Sequence, residues 1–519
     1  MFTSPEALPG GLSELAREIA ERRPEMRFLD SKEPITAAEF LARMEAVAGG
    51  LWEWGVRPGD RVAISMRNSM AWLEVWFAVA HVGAVLVPLN TRFAPAEAEF
   101  VLRHSKASWV ILAEGHAPLD LEALTAIEAG GEAFRGCALV GVDPAAPNQV
   151  RLTELVGDPV PCQEDGEALG MVQYTSGSTA FPKGAMLRNH GLLRNGHGLG
   201  VGWQLDPEAD HAIVSNPLFH CGGTVFAFLA AYTHGVDVTL VDAWRVEEAW
   251  EMIERQGITI APVIDAAARD LLSYAHATGR RLPSLRLVST AADPELFAAI
   301  AAELGCEISN VFGLTESSPN VCVGDLADPL QVRLDHTGRV QPGLTVAIRD
   351  PDSEEILPDG TLGEITTKGW ALMLGYLDDP EATAAATTAD GCLRTGDLGT
   401  LEGDLLTYRG RAKLMIKSGG ENISIEEVEA ALRTHPDLAD AIVVPIPDPR
   451  FSEVGYAYLR PHDGAAPDAD EILEHCRTRI ARFKVPKRAE IITDLPTSGS
   501  GKIDRRTLTD RARETVAAG

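Results

Sequence analysis

Between Tyr174 and Gly184 the chain reads Tyr-Thr-Ser-Gly-Ser-Thr-Ala-Phe-Pro-Lys-Gly, with Thr175, Ser176, Ser178 and Thr179 set around Gly177 and a cation, Lys183, close behind. Such a run exposes successive backbone N–H groups and hydroxyl donors, which suit phosphate oxygens. It is not a Walker loop, because no Gly-Lys-Ser/Thr follows at the required spacing. A hydroxyl-rich loop is as readily a surface turn, so its company decides. Asn310-Val-Phe-Gly-Leu-Thr-Glu316 ends in a hydroxyl–carboxylate pair, Thr315 and Glu316, whose oxygens are the donors Mg²⁺ takes, and Phe312 beside Gly313 offers a flat face for a base. Arg394-Thr-Gly-Asp-Leu398 puts Asp397 after a glycine turn, where its two oxygens can accept from both hydroxyls of a ribose. Gly499-Ser-Gly-Lys502 sets a single lysine on a loop near the C-terminus. Each has a plainer reading: Asp397 as a turn residue, Lys502 as a solvated charge, Phe312 as core. It is the whole set, in this order, that chance does not readily produce.

These residues need a frame. Short apolar runs (RVAISM 61–66, AVLVPL 84–89, WVILAE 109–114, CALVGV 137–142, HAIVSN 211–216, VDVTLV 236–241 and LRLVST 285–290) alternate with helical patterns. That alternation predicts largely parallel sheets buried on both faces. From Val340 to Lys368 the strands become shorter and turn-rich, which predicts a separate antiparallel subdomain. After Gly410 come a helix from Ser424 to Arg433, the strands AIVVPI and EVGYAYLR, and a helix from Asp470. The expectation is an α/β protein: a large domain, 1–410, of two mainly parallel α/β subdomains plus a small β-rich one, then a small α+β domain, 411–519.

A chain of 519 residues is too long for one core. Its net charge of −29 repels nucleic acid and anionic membrane surfaces, so neither is expected as a partner. From Arg411 onward 17 basic residues meet 18 acidic ones, so the acidity lies in the body, and the near-neutral tail suits either a supplier of cations to an anionic substrate or plain compositional drift. Seven cysteines without a Cys-x-x-Cys pair argue against a disulfide framework or zinc site and for a reducing compartment. The first residues lack a basic and apolar leader pattern, and the expected location is cytoplasmic. Ala71 to Leu89 is the most apolar long stretch, but Glu74, His81, Gly83 and Pro88 make it a buried helix leading into a strand rather than a membrane span.

The motifs YTSGSTAFPKG (174–184), PLFHCGG (217–223), NVFGLTE (310–316), GEI (363–365), GY (375–376), RTGDLG (394–399), GRAKLMIKSGGENISIEEVE (410–429), KVPK (484–487) and PTSGSGKIDRR (496–506) together resemble the adenylate-forming superfamily of acyl-CoA synthetases, adenylation domains and beetle luciferases. The resemblance spans essentially the whole chain. It implies an acid–thiol ligase that uses ATP or an acyl-adenylate, Mg²⁺ and CoA, with a mobile C-terminal domain turning about a hinge near Lys413. By motif, Lys502 neutralises charge during adenylation, Glu316 and Thr315 hold Mg²⁺ and phosphate, and Thr175 to Thr179 with Lys183 hold phosphate. Asp397 and Arg411 hold the ribose, Phe312 and Gly313 border adenine, and His220 gates the acyl pocket. Lys417, Gly419 and Gly420 belong to the loop, Ser418 to Asn422, that lines the pantetheine tunnel. A fainter likeness, carried by no single motif, points to ligases of terpenoid-antibiotic pathways.

Two departures stand out. Ala180 occupies the glycine position of the phosphate loop, and Thr290-Ala-Ala-Asp-Pro294 is about two residues short of the usual Gly-Gly-Ala-Pro-Leu. A glycine that needs positive φ or close approach to phosphate is costly to replace. Two outcomes stay open: thioester formation from an adenylate that a separate ligase supplies, or a complete two-step enzyme. A carrier-protein-loading enzyme is the rival class. Gly222, Gly223 and Thr224, with the short loop, lead one to expect a roomy pocket for a bulky or long hydrophobic acid.

Overall fold

The computed structural model describes residues 2, 7–30, 34–113, 135–141, 149–175, 182–292, 294–411, 415–462, 464–493, 495–496 and 503–518. The apolar stretch from Ala71 folds as the sequence predicts. Ser69 caps the helix Met70–His81 by accepting from Trp72 N, and the helix is buried almost all round, Trp72, Trp76 and Phe77 included. It feeds the wholly buried strand Val85–Pro88. Among the described residues no helix is long and apolar enough to cross a membrane.

That strand belongs to an eight-stranded sheet running Gly375–Tyr376, Lys183–Arg188, Leu169–Thr175, Val85–Pro88, Arg61–Ser65, Trp109–Ala113, Gly136–Val140, Gln149–Arg151. Its core is parallel, and at one side Lys183–Arg188 pairs antiparallel with both Leu169–Thr175 and the edge strand Gly375–Tyr376. The second sheet has thirteen strands. One half, from Arg27–Leu29 through Asp237–Leu240, His211–Val214, Ile260–Pro262 and Leu287–Thr290 to Glu307–Gly313, is parallel. The other half is antiparallel and holds Asn320–Val323, Gly338–Val340, Leu405–Arg411, Leu393–Glu402, Gly363–Gly369 and Leu344–Arg349, and the thirteenth strand, Ile35–Thr36, pairs antiparallel with Arg27–Leu29 at the far edge. The expected antiparallel strands are therefore present, but they extend the parallel sheet instead of standing apart from it. Glu307–Gly313 makes the join, parallel to Leu287–Thr290 on one side and antiparallel to Asn320–Val323 on the other.

The C-terminal sheet has five strands, Glu421–Ser424, Met415–Ser418, Ser452–Pro461, Leu438–Asp448 and, parallel to Ser452–Pro461, Arg488–Ile491. Alternation along its long strands gives two faces. Ala441, Val443, Ala457 and Leu459 pack with the helix Ile425–Arg433, and Ile442, Val444, Tyr456 and Tyr458 pack with Leu508.

Candidate active site

A cavity of about 240 Å³ lies where the strands of both large sheets end and the small domain closes over them. Thr175, His220, Gly313, Thr315, Glu316 and Tyr376 line it from the large domain, and Met415, Glu421, Phe483 and Lys484 from the small one. The position at strand ends is where α/β sheets commonly bind ligands. Residues the sequence singled out more than a hundred positions apart thus share one space.

Thr175 ends the strand Leu169–Thr175, directly across from Lys183 on the neighbouring strand, so the register fixes both ends of the phosphate-loop motif. Tyr376 lies in register with Ala185 on the same neighbour. Glu316 sits in the short turn Thr315–Ser317 that follows Glu307–Gly313. A side chain at Gly313 would run into the Pro319 carbonyl, so glycine here lets the two strands meet at their irregular register.

Around Glu316 the chemistry is specific. Tyr376 donates its hydroxyl to Glu316 Oε1 at 2.7 Å. Burial and the neighbouring carboxylate push the Tyr376 phenol well above its ordinary value, so it remains a donor. Lys183 Nζ stands 5.2 Å from the Tyr376 ring centroid, within cation–π range. Buried Thr315 and Glu316 supply the hard oxygens Mg²⁺ prefers. Cys221 is close by, and burial holds its thiol up at about 12, which removes it as a nucleophile.

His220 lines the cavity half-buried. Its Nδ1 accepts from Gly222 N at 3.0 Å, which leaves the proton on Nε2. The segment before it is braced by residues the sequence reading passed over. Buried Asn68 donates to the carbonyls of Asn216 and Val241 and accepts from Leu218 N, and Gln173 donates to the Phe219 carbonyl at 3.0 Å. Of the small residues after His220, Gly223 and Thr224 are held by close packing. Gly222–Leu229 is a π-helix, a side chain at Gly223 would strike the Pro217 carbonyl, and Thr224 is 1 % exposed.

Phe312 is packed among Val321, Cys322, Ile348, Ile365 and Leu406, and its ring stacks on Tyr408 with centroids 5.4 Å apart. The half-buried aromatic there is Tyr408, over which Lys417 Nζ stands at 4.1 Å. Asp397 is buried opposite Arg411 in the ladder, and its backbone N–H is held by Thr395 Oγ1. Neighbouring Arg394 reaches the cavity while bonded to Glu364 and Glu354.

The turn Ser418–Glu421 carries Gly419 and Gly420 at positive φ, 57° and 82°. A Cβ on Gly420 would lie 2.7 Å from Ile264 of the large domain, so smallness here serves close packing between domains. The reason expected from the motif, room for a thin ligand, is compatible with that packing. Ser176, Gly177, Ser178, Thr179, Ala180, Lys413 and Lys502 lie outside the described residues, as does the side chain of Arg411.

Comparison with known proteins joins this geometry to a family. The family described as AMP-binding enzyme matches residues 16–377, and the one described as AMP-binding enzyme C-terminal domain matches 427–502. The chain is 36% identical over 472 residues to a feruloyl-CoA synthase of Amycolatopsis sp, covering 90% of this chain and 92% of that one. It is 31% identical over 491 residues to a fatty acid–[acyl-carrier-protein] ligase of Streptomyces coeruleorubidus, covering 92% and 91%. In structure it is similar to an amide bond synthetase from Marinactinospora thermotolerans, with a TM-score of 0.85 and 25% identity over 96% of this chain and 99% of that one. With two matching family descriptions in order, and a strand-end cavity built from the matching motifs, the chain belongs to the AMP-binding enzyme family.

Proposed function

We propose that the protein is an acyl-CoA ligase that joins a hydrophobic carboxylic acid to CoA through an acyl-adenylate. The observation that carries this reading is the shared cavity, which Glu316, Tyr376, Thr175 and His220 line on one side and Glu421 of the glycine turn on the other. In the first half-reaction an acid oxygen attacks the α-phosphorus of ATP, an acid–phosphate bond forms and pyrophosphate leaves. In the second the CoA sulfur attacks the acyl carbon, AMP leaves and the thiol proton passes to solvent. Oxygen donors at Thr315 and Glu316 fit Mg²⁺, which when bound neutralises phosphate charge. Tyr376 holds the Glu316 carboxylate in place, Lys183 stands over the Tyr376 ring, and Asp397 with Arg411 serves the ribose. His220 borders the acyl end. Lys502 is the proposed cation of adenylation, and Lys413 the proposed hinge.

The finer reading is that Ala180 weakens adenylation, so that the chain mainly converts an adenylate supplied by a separate ligase. A single experiment addresses both. Purified protein with CoA receives either ATP, Mg²⁺ and a panel of acids that includes hydroxycinnamates and fatty acids, or synthetic acyl-adenylates without ATP, and thioester is followed by mass spectrometry. Thioester in both arms supports the complete ligase, and thioester from adenylates alone supports the split reaction. Thioester in neither arm, with loading of a carrier protein instead, overturns the choice of CoA. The 31% identical carrier-protein ligase makes that last arm worth including.

A further inference from the structure

We propose that Lys484 is a positioning residue that fastens the small domain to Glu97 of the large one, in the orientation that turns Ser418–Glu421 toward the cavity. Lys484 Nζ lies 2.6 Å from Glu97 Oε1 and 2.7 Å from Glu427 Oε1, and all three side chains are 2% exposed or less. Glu427 is on the small domain's own helix Ile425–Arg433, and Glu97 is in the first turn of Pro95–Ser105 in the large domain. Glu97 is itself braced, since its second oxygen accepts from Ala94 N at 2.8 Å. Phe93 and Phe483 flank the ammonium, with ring centroids 5.7 and 5.8 Å away.

One carboxylate from its own domain would balance the charge of Lys484. The second comes from the other domain, so the dry triad exists only while the two are docked. Apolar surfaces can slide over one another at little cost, but a buried ammonium cannot leave its acceptors without stranding charge. The triad therefore selects an orientation as well as favouring contact. The other contacts along this seam agree: Ser452 hydrogen-bonds Asp265, Arg92 stands 3.7 Å from Glu421, and Gly420 abuts Ile264. Leu495 and Ile503, which flank the Lys502 segment, pack on the opposite face of the five-stranded sheet from the helix that carries Glu427. The docked orientation thus presents the glycine turn to the cavity, and a step that needs the opposite face must first break Lys484 from Glu97.

The catalytic consequence rests on the ligase reading above, but orientation can be tested without it. In a Ser452→Cys/Asp265→Cys protein the engineered pair forms a disulfide only when the seam is closed, and its rate in a fixed glutathione buffer, mapped by mass spectrometry, reports docking. Adding Glu97→Gln or Lys484→Met is expected to slow cross-linking at least tenfold, and combining the two to slow it no further. Rates within twofold of the parent in either variant overturn the proposal. If Lys484→Met does not fold, Glu97→Gln, which removes only a charge from the large domain, carries the test alone. Glu97→Gln is also expected to slow thioester formation from a synthetic acyl-adenylate about tenfold and to leave acid-dependent ATP–pyrophosphate exchange unchanged. Slower cross-linking in a protein with no ligase activity would overturn the ligase reading and leave the latch standing. Equal loss in both half-reactions with an unchanged cross-linking rate would sink the latch.

Discussion

Tyr376 and Glu316, sixty residues apart, meet through a 2.7 Å hydrogen bond in which the phenol donates to the carboxylate. The bond joins the edge of the eight-stranded sheet to the turn at the end of Glu307–Gly313 in the thirteen-stranded one. A hydrogen bond to a charged group is worth roughly 1.5–3 kcal/mol. Tyr376→Phe removes the donor and keeps the ring beneath Lys183. The expected result is a roughly ten- to hundredfold loss in kcat/KM for ATP-dependent thioester formation at limiting Mg²⁺, by conversion of that energy, with partial recovery at high Mg²⁺. A loss that Mg²⁺ concentration does not change would mean that the bond does not orient Glu316 for a metal.

The triad at Lys484 makes stability depend on pH. Burial raises the Glu427 carboxyl from 4.5 to about 7, against the opposing pull of Lys484. A raised carboxyl holds its proton longer when folded, so its contribution is full below pH 4.5 and is lost as pH climbs through about 7. The loss is at most about 3 kcal/mol across that window. The stacked, buried pair His197 and His234, lowered to about 3 and 4, acts with opposite sign, because those rings must charge on unfolding as pH falls below 6.5. The measurement is therefore a difference. Tm of Glu427→Gln minus that of the parent should rise between pH 5 and 7.5, and a flat difference would refute the assignment.

The parallel frame was legible in the sequence because buried strands are short unbroken apolar runs, as RVAIS at 61–65 and LVST at 287–290 are. Motif order likewise gathered Thr175, His220, Thr315 and Glu316 around one cavity. What stayed hidden depends on partners distant in sequence. Lys484 stood inside a recognised motif, yet nothing local says that Glu97 will meet it. Tyr376 was visible only as half of a Gly-Tyr pair, and its partner Glu316 comes from another sheet. The packing role of Gly420 is hidden for the same reason, since Ile264, which crowds it, is remote in the chain.

Phe312 has two readings in the sequence, core residue or the ring that meets adenine, and its stacked neighbour Tyr408 offers a second ring for the base. Phe312 is 7 % exposed and belongs to a hydrophobic cluster, whereas Tyr408 is half-buried beneath Lys417. Phe312→Ala should cost about 3–5 kcal/mol of stability, as for other buried aromatics, and should appear first in thermal unfolding. Tyr408→Leu should leave Tm nearly unchanged and raise the KM for ATP several-fold. If instead Phe312→Leu, which keeps most of the apolar volume, raises that KM while Tyr408→Leu does not, Phe312 is the ring that meets the base.

Gly420 tests the seam from the side of backbone geometry. Its φ of 82° disfavours any side chain, and an added methyl would sit 2.7 Å from Ile264 Cγ2. The conformational part alone costs roughly 1–2 kcal/mol, and the clash adds to it only while the domains are docked. Gly420→Ala should therefore slow thioester formation from a supplied acyl-adenylate more than tenfold, and lower Tm only by the several degrees that the positive-φ strain accounts for, because the undocked small domain escapes the clash. Trimming the obstacle with Ile264→Ala in the same protein should return part of that rate, since the methyl then has space and only the strain of positive φ remains. Two variants that lose rate independently, with no recovery in the pair, would show that Ile264 and Gly420 do not meet during the thioester-forming step.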